Sequence, residues 1–403
     1  MSKYKIINDP VHGFISIPNE KILALIDHPF FQRLRRISQM GLSFLVYPGA
    51  THTRFHHSIG AMHLMQTAVN VLKFKGVDIT EEEETAALAA ILLHDIGHGP
   101  FSHALEYSII DNISHEEISL ALMRQLNREF DGFLDLGIAI FKGKYPKRFL
   151  TELISSQMDT DRLDYLRRDS FYSGVIEGQV NSGRLIKMMN VRDNRLVTEE
   201  KGIYSLEKFI ISRRLMYWQV YYHKTVLLLE IILTKVLQRV KDLLAQGISV
   251  PMDEHLAFLF REDLDLNNPG HLDIYTRLDD SDILYHVKQW AEHKDFILSY
   301  LSNMIVNRRH INKMLLRNEA FGDEEIAFQK EKAARKFGLT DEETDYLVFS
   351  GTVSNLAYDK EKPLLLLKKN GDVVEFSKAT DRANIEALSL PVVKYYLGYP
   401  RYT

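Results

Sequence analysis

The 403-residue chain contains no cysteine. Without thiols there is no disulfide and no thiolate metal site, so any bound metal must be held by histidine and carboxylate. An apolar signal region is also missing: the chain begins MSKYKIINDP, and its longest apolar stretch, VLLLEIILTKVL, is short and carries Glu230 and Lys235. These absences point to a cytoplasmic protein that does not contact membrane. Internal repeats and low-complexity tracts are lacking too. The net charge is only −4, which gives no overall attraction for polymeric nucleic acid, although the local cluster Arg33, Arg35 and Arg36 suits a small anion.

What is present is ample apolar content, 45% of residues, enough for a substantial core. From about residue 20 to 240 the apolar spacing is helical, as in KILALIDHPFFQRLRRI, HLMQTAVNVLKF, HEEISLALMRQL and the run from Ile203 to Leu243. Residues 241–340 continue as charged amphipathic helices. The character then changes: YLVFSGTVSNLAY and LLLLKKNGDVVEF have strand composition, and Asn370-Gly371 suits a tight hairpin turn. Near the start, KIINDPVHGFISIP reads as a short strand pair. The expected fold is mainly α: a helical core over 1–240, a helical extension over 241–340 and a small α/β appendage over 341–403.

The string LLHDIGHGPFSH, residues 92–103, sets three histidines and an aspartate at the end of AALAAILL, which reads as a buried helix. Desolvating adjacent His94 and Asp95 is costly unless both coordinate a cation. Upstream, HTRFHHS offers His57 at the start of a helix; downstream, MDTDRLDYLRRDS offers Asp161 on another. Two imidazoles and two carboxylates suit one divalent ion among Mn²⁺, Fe²⁺, Ni²⁺, Mg²⁺ and Zn²⁺, with open positions for water or substrate.

Asp161, Tyr165 and Asp169 follow at i, i+4 and i+8, one polar stripe of a helix. Asp159, Asp164, Arg167 and Arg168 of the same segment read as a solvated charged face. A second stripe joins Arg213, Tyr217 and Tyr221, with Lys224 after it. Arg54, His98, His103, His115 and Arg162 would surround the metal with cationic and proton-donating groups, a setting that attracts phosphate.

These strings, together with NDPVHG, FQRLRRISQMG, VYPGATHTRFHHSIG, SHEE, DTDRLDYLRRD and YYHK, occur in order over most of the first 225 residues. In them the chain resembles the HD-domain deoxynucleoside triphosphate triphosphohydrolases, which include bacterial dGTPase-like enzymes and the vertebrate SAM-and-HD-domain dNTPase.

The resemblance implies an HD-domain helical core whose metal ligands are His57, His94, Asp95 and Asp161. It implies His115 as proton donor, with Glu106 its carboxylate partner. Arg54, His98, His103, Arg162, Tyr165 and Arg213 would hold the triphosphate, Gln39 and Asp169 the sugar 3′-hydroxyl, and Tyr221 would crowd a ribose 2′ position. Lys5, Asn8, Asp27, Gln32 and Arg35 match positions of a regulatory guanine-nucleotide site, and Arg309 and Lys313 resemble phosphate-binding positions of it, although Asp27, Gln32 and Arg35 equally suit capping and bracing of the first helix. It implies a dNTP substrate, a nucleotide activator and a homo-oligomer, dimer or tetramer.

Against the family, Arg162 stands where the vertebrate enzyme has a lysine, Tyr217 where it has a histidine and Met40 where it has a leucine; the metal chemistry is expected to survive these changes, and base and sugar preference to change. Two other readings stay open. One is an HD-type phosphodiesterase or phosphomonoesterase acting on another nucleotide. The other is a nucleotide sensor that uses the same cage to bind, with little turnover.

Overall fold

The computed structural model describes residues 5–101, 113–380 and 382–402. His103 and Glu106 lie outside these residues. The fold is mainly α, as the apolar spacing predicts, with three small sheets among the described residues.

At the N-terminus, strands Ile6–Asp9 and Gly13–Ser16 pair antiparallel. Asp9 makes the turn, its carboxylate accepting the N–H groups of Val11 and His12 at 2.9 and 2.8 Å, and Gly13 takes a φ of +77° that a Cβ would disfavour. The reversal puts His12 onto the helical core.

Three helices carry the HD strings. Arg54–Phe74 holds His57 in its first turn. Glu81–Leu93 begins with a Thr80–Glu83 capping box, has four glutamates where the helix dipole favours negative charge, and buries Ala86 to Leu93 before ending at His94. Thr160–Ser173 is capped by Asp159, which accepts the Arg162 N–H at 2.7 Å, and stops at Gly174 in the left-handed region, φ +75°. Helix ends thus converge on one point, each presenting a polar side chain where regular backbone pairing stops.

The charged face expected of helix Thr160–Ser173 is not solvated. Asp159, Asp164 and Arg168 are fully buried, and Arg167 is half-buried with its guanidinium on the Val11 carbonyl at 2.8 Å. These charges neutralise one another inside the protein, a pattern that periodicity alone cannot tell from exposure.

The helical run from Ile203 is also interrupted. Helix Ile203–Met216 passes into a π turn, Tyr217–Tyr221, closed by Tyr222 N–H donating to the Tyr217 carbonyl at 2.7 Å, before helix Lys224–Ala245 begins. Tyr217 and Tyr221 therefore leave strict α register with Arg213, yet their rings stay adjacent, 5.2 Å between centroids.

Within the segment read as helical lies a hairpin, Met189–Arg192 with Arg195–Glu199, turned by Asp193 and Asn194 at φ 51° and 61°. Its signal is an Asp-Asn pair between alternating apolar residues. Strand Lys313–Arg317 likewise falls inside the stretch expected to be helical; it pairs with Val392–Tyr399, and Phe349–Asn355 completes that three-stranded sheet. Strands Leu365–Leu367 and Val373–Glu375 form the expected hairpin around Asn370-Gly371, but through the wider loop Lys368–Asp372 rather than a two-residue turn. Leu366 sits opposite Thr198 in a parallel pair, so this C-terminal hairpin extends the earlier one into a four-stranded sheet.

One apolar cluster runs from Ile15 to Leu388 and unites helical and C-terminal segments. Among the described residues no helix is long and apolar enough to cross a membrane.

Candidate metal centre and phosphate cleft

His57 Nδ1 donates to Asp164 Oδ2 at 2.8 Å, and His94 Nδ1 donates to the Ile91 carbonyl at 2.6 Å. Both acceptors fix the ring proton on Nδ1, which leaves each Nε2 with a bare lone pair. Those two nitrogens lie 3.4 Å apart, and Asp161 Oδ1 is 3.1 Å from one and 3.6 Å from the other. The three ligand atoms all fall within 4.8 Å of one another. Asp95 adds Oδ1 at 3.3 Å from His94 Nε2 and Oδ2 at 3.8 Å from His57 Nε2.

Converging lone pairs repel unless a cation sits among them. Burial disfavours a charged His57, yet its hydrogen bonds to Asp161 and Asp164 override that cost and lift its pKa to about 10, so the Nε2 lone pair is drawn to a proton or, in its place, to a cation. Burial likewise opposes ionisation of Asp161 and Asp95, but the facing histidines pull Asp161 down, and His94 with Arg54 pulls Asp95 well down. The donor set demands positive charge at its centre and fits one divalent ion held by nitrogen and oxygen.

Sequence reasoning missed the support beneath this set. Asp164 is fully buried and accepts from His57, from His12 Nε2 at 2.7 Å, and from Arg168 at 2.9 and 3.0 Å; Arg168 in turn reaches Asp9 at 2.7 Å. A metal-ligating imidazole with a carboxylate behind it is the arrangement that holds tautomer and ring angle. Gly60 makes room, because a Cβ there would lie 2.1 Å from Asp164 Oδ1 and 2.2 Å from Arg168 Nη2. Asp164 stands three residues after Asp161, on the helix's inner face, which is the signal that could have found it.

Next to the ligands His98 stacks on His115, ring centroids 3.9 Å apart and planes 17° apart, and His98 Nε2 is 3.3 Å from Asp95 Oδ1. Burial and the Arg54 charge hold His98 well below the ordinary histidine range, so its ring is neutral. Arg54 is buried and pairs with Asp95. Arg162 pairs with Asp159, and burial lifts that carboxyl to about 6 despite the guanidinium.

A tyrosine wall stands opposite. Tyr165 lies 6.4 Å from both the His57 and Tyr221 rings, and the Tyr221 hydroxyl donates to Asp169 Oδ2 at 2.6 Å. The other Asp169 oxygen takes His52 Nε2 at 2.7 Å. Gln39 is joined to the same corner, its N–H donating to the His52 carbonyl at 3.0 Å while its buried Oε1 has no partner among the described residues. Arg213 turns to the C-terminal segment, donating to the carbonyls of Leu356 and Ala357 at 3.2 and 2.8 Å.

Of the residues matched to a regulatory site, Lys5 pairs with Asp27 at 3.3 Å, Gln32 ties the Ile26 carbonyl to Arg35, and Arg35 lies 3.5 Å over the Phe55 ring. These contacts brace the first helices. Asn8 and Arg309 are exposed; Lys313 lines a separate cavity of about 980 Å³ with Lys224, Arg308 and Arg401.

The HD domain family model matches residues 54–168, the segment that contributes every ligand above, and the HD associated region matches 180–316. A protein of Bacillus subtilis strain 168, uncharacterized and named YwfO, is 34% identical over 409 residues, covering 96% of this chain and 90% of that protein. A phosphohydrolase crystal structure from Bacteroides thetaiotaomicron VPI-5482 superposes with a TM-score of 0.95 at 48% identity, covering 99% of this chain and 100% of that one. The Dictyostelium discoideum deoxynucleoside triphosphate triphosphohydrolase SAMHD1 homolog is 35% identical over 243 residues; the match takes in 55% of this chain and 46% of that protein, so the chain spans about half its length. The chain belongs to the HD-domain phosphohydrolases, the family that includes the SAMHD1 deoxynucleoside triphosphate triphosphohydrolases.

Proposed function

We propose that the protein hydrolyses deoxynucleoside triphosphates to deoxynucleoside and inorganic triphosphate, in a reaction that depends on a divalent metal. The observation that carries this reading is the juxtaposition of the His57, His94, Asp95 and Asp161 donors with the stacked His98–His115 pair and the cation-rich surround of Arg54 and Arg162.

His57, His94, Asp95 and Asp161 would hold the ion. When bound, it supplies Lewis-acid neutralisation of phosphate charge and a more acidic water. Arg54 and Arg162 add positive charge that favours phosphate oxygens, and neutral His98 offers a directional contact without repelling them. Water attacks the α-phosphorus, the bond from phosphorus to the 5′-oxygen breaks, and His115 delivers its proton to that departing oxygen. Tyr165 and Tyr221 shape the sugar side, Asp169 being held by Tyr221 and His52 in an orientation suited to a sugar hydroxyl.

The test is a panel of the four dNTPs, singly and mixed to provide an activator, with Mn²⁺ or Mg²⁺ and chromatographic identification of products. Tripolyphosphate release is the expected result. Orthophosphate, pyrophosphate or opening of a cyclic nucleotide would assign the cleft to another phosphohydrolase reaction; binding without turnover would assign it to sensing.

A further inference from the structure

The loop over residues 94–101 carries two metal-site residues and His98, yet its glycines at 97 and 99 give it little conformational preference of its own. On one flank it rests on the helix that begins at His115. Gly97 N–H donates to Ser119 Oγ at 2.9 Å, and that hydroxyl donates to the His94 carbonyl at 2.8 Å. The approach requires glycine, because a Cβ at 97 would lie 2.4 Å from the His115 carbonyl oxygen.

The other flank is held from outside the HD domain. Helix Pro269–Arg277 supplies Tyr275, buried, whose hydroxyl donates to the Gly97 carbonyl at 2.7 Å. Helix Asp280–Trp290 supplies Asp280, also buried, which accepts the N–H groups of Phe101 and Ser38, both at 2.8 Å. Phe101 sits at φ 48°, a left-handed conformation that a side-chain-bearing residue keeps only when its surroundings enforce it. Between these helices and the loop lies Arg33, 1% exposed, donating to the carbonyls of Ile96, His98 and Leu278 at 3.4, 2.8 and 2.9 Å, with Tyr275 beneath its guanidinium at 5.0 Å.

Each of these partners grips loop backbone, and among the described residues the metal donor set is drawn from other side chains. We infer that Tyr275 and Asp280, with Arg33 between them, are positioning residues through which the HD-associated region sets the loop geometry that stacks His98 on His115. The inference rests on the reading of the cleft as hydrolytic. It deepens that reading by giving the associated region a part in the chemistry: it fixes where the proton donor's neighbour stands relative to the metal ligands. Three successive carbonyls, 96, 97 and 98, are held from one side, so moving either helix moves the backbone that carries His98.

The experiment uses the full chain with Tyr275→Phe and, separately, Asp280→Asn. The first keeps the ring under Arg33 and the second keeps one carbonyl acceptor, and a melting curve for each shows that it folds before its kinetics are read. Misplacement of this size is expected to lower kcat about tenfold while KM for the dNTP stays within about twofold. Independently of turnover, the ring resonances of His98 and His115 in histidine-labelled protein should lose the mutual ring-current shift of the stack. A lower melting temperature with kcat and both resonances unchanged overturns the inference. If the native chain releases no tripolyphosphate while the resonances still respond to the substitutions, the hydrolytic reading fails and the positioning stands.

Discussion

At the scale of single residues, the metal centre is ordered by what lies behind each ligand. His57 cannot rotate without leaving Asp164, nor His94 without leaving Ile91, so the fold itself aims their Nε2 atoms at one point. Asp161→Asn should abolish Mn²⁺ binding in titration calorimetry, and chelation of the native protein should stop turnover until a divalent ion is restored. Asp164→Asn leaves every ligand in place but weakens the hold on His57, so Mn²⁺ affinity should fall about 10- to 100-fold; unchanged affinity would deny Asp164 that part. Asp164 and Arg168 also show what residue types in a string leave out. Their charges read as a wet helix face, whereas they are buried because His12, Asp9 and Gly60, far away in sequence, close over them.

Glu230, on helix Lys224–Ala245, makes stability depend on pH. Burial raises its pKa to about 7, so the folded protein holds a proton there that the unfolded chain gives up at the ordinary glutamate value. Stability contributed by the protonated form is therefore intact at pH 4 and falls as pH rises toward 7, after which the loss is complete. Glu230→Gln should melt several degrees higher than native at pH 8, with the gap closing at pH 5; an equal gap at both values would show that the carboxyl's titration is not the cause.

Among the elements, close approach decides function. Helices Arg54–Phe74 and Thr160–Ser173 touch at Gly60, and their contact brings His57 to Asp161 and Asp164. Gly60→Ala forces a Cβ into that contact, an overpacking that costs about 1–3 kcal/mol. A lower melting temperature together with weaker Mn²⁺ binding is expected; a drop in stability alone would mean that the helices can part without moving the ligands. The existence of both helices is legible from their spacing, but the Asp159 cap and the π turn at Tyr217–Tyr221 are not. The π turn follows from packing the tyrosine wall against Asp169 and Tyr165 rather than from any breaker in YWQVY.

For the whole molecule, the C-terminal strands belong mechanically to the core. Leu366 is fully buried and lies opposite Thr198, in the hairpin that follows the HD domain. Leu366→Ala should cost about 2–5 kcal/mol and should speed hydrogen exchange in 195–199 as well as 365–367; faster exchange confined to the latter would show the two hairpins to be mechanically separate. Strand composition near residue 350 and the turn at Asn370-Gly371 announced a late β region. Its partners were hidden, since pairing between residues some 170 positions apart leaves no local periodicity.

Composition and local pattern determined by themselves that the chain is a helical protein with a late β segment, and that its polar groups sit at helix ends where backbone pairing stops. Those features depend on neighbours three or four residues away. Only the tertiary structure decided which charges are buried, that Asp164 backs His57, that Arg213 turns to the C-terminal segment, and that Arg33, Tyr275 and Asp280 grip the loop of His98. Each of these depends on side chains brought together across long stretches of sequence, where burial and mutual neutralisation, rather than residue type, set the outcome.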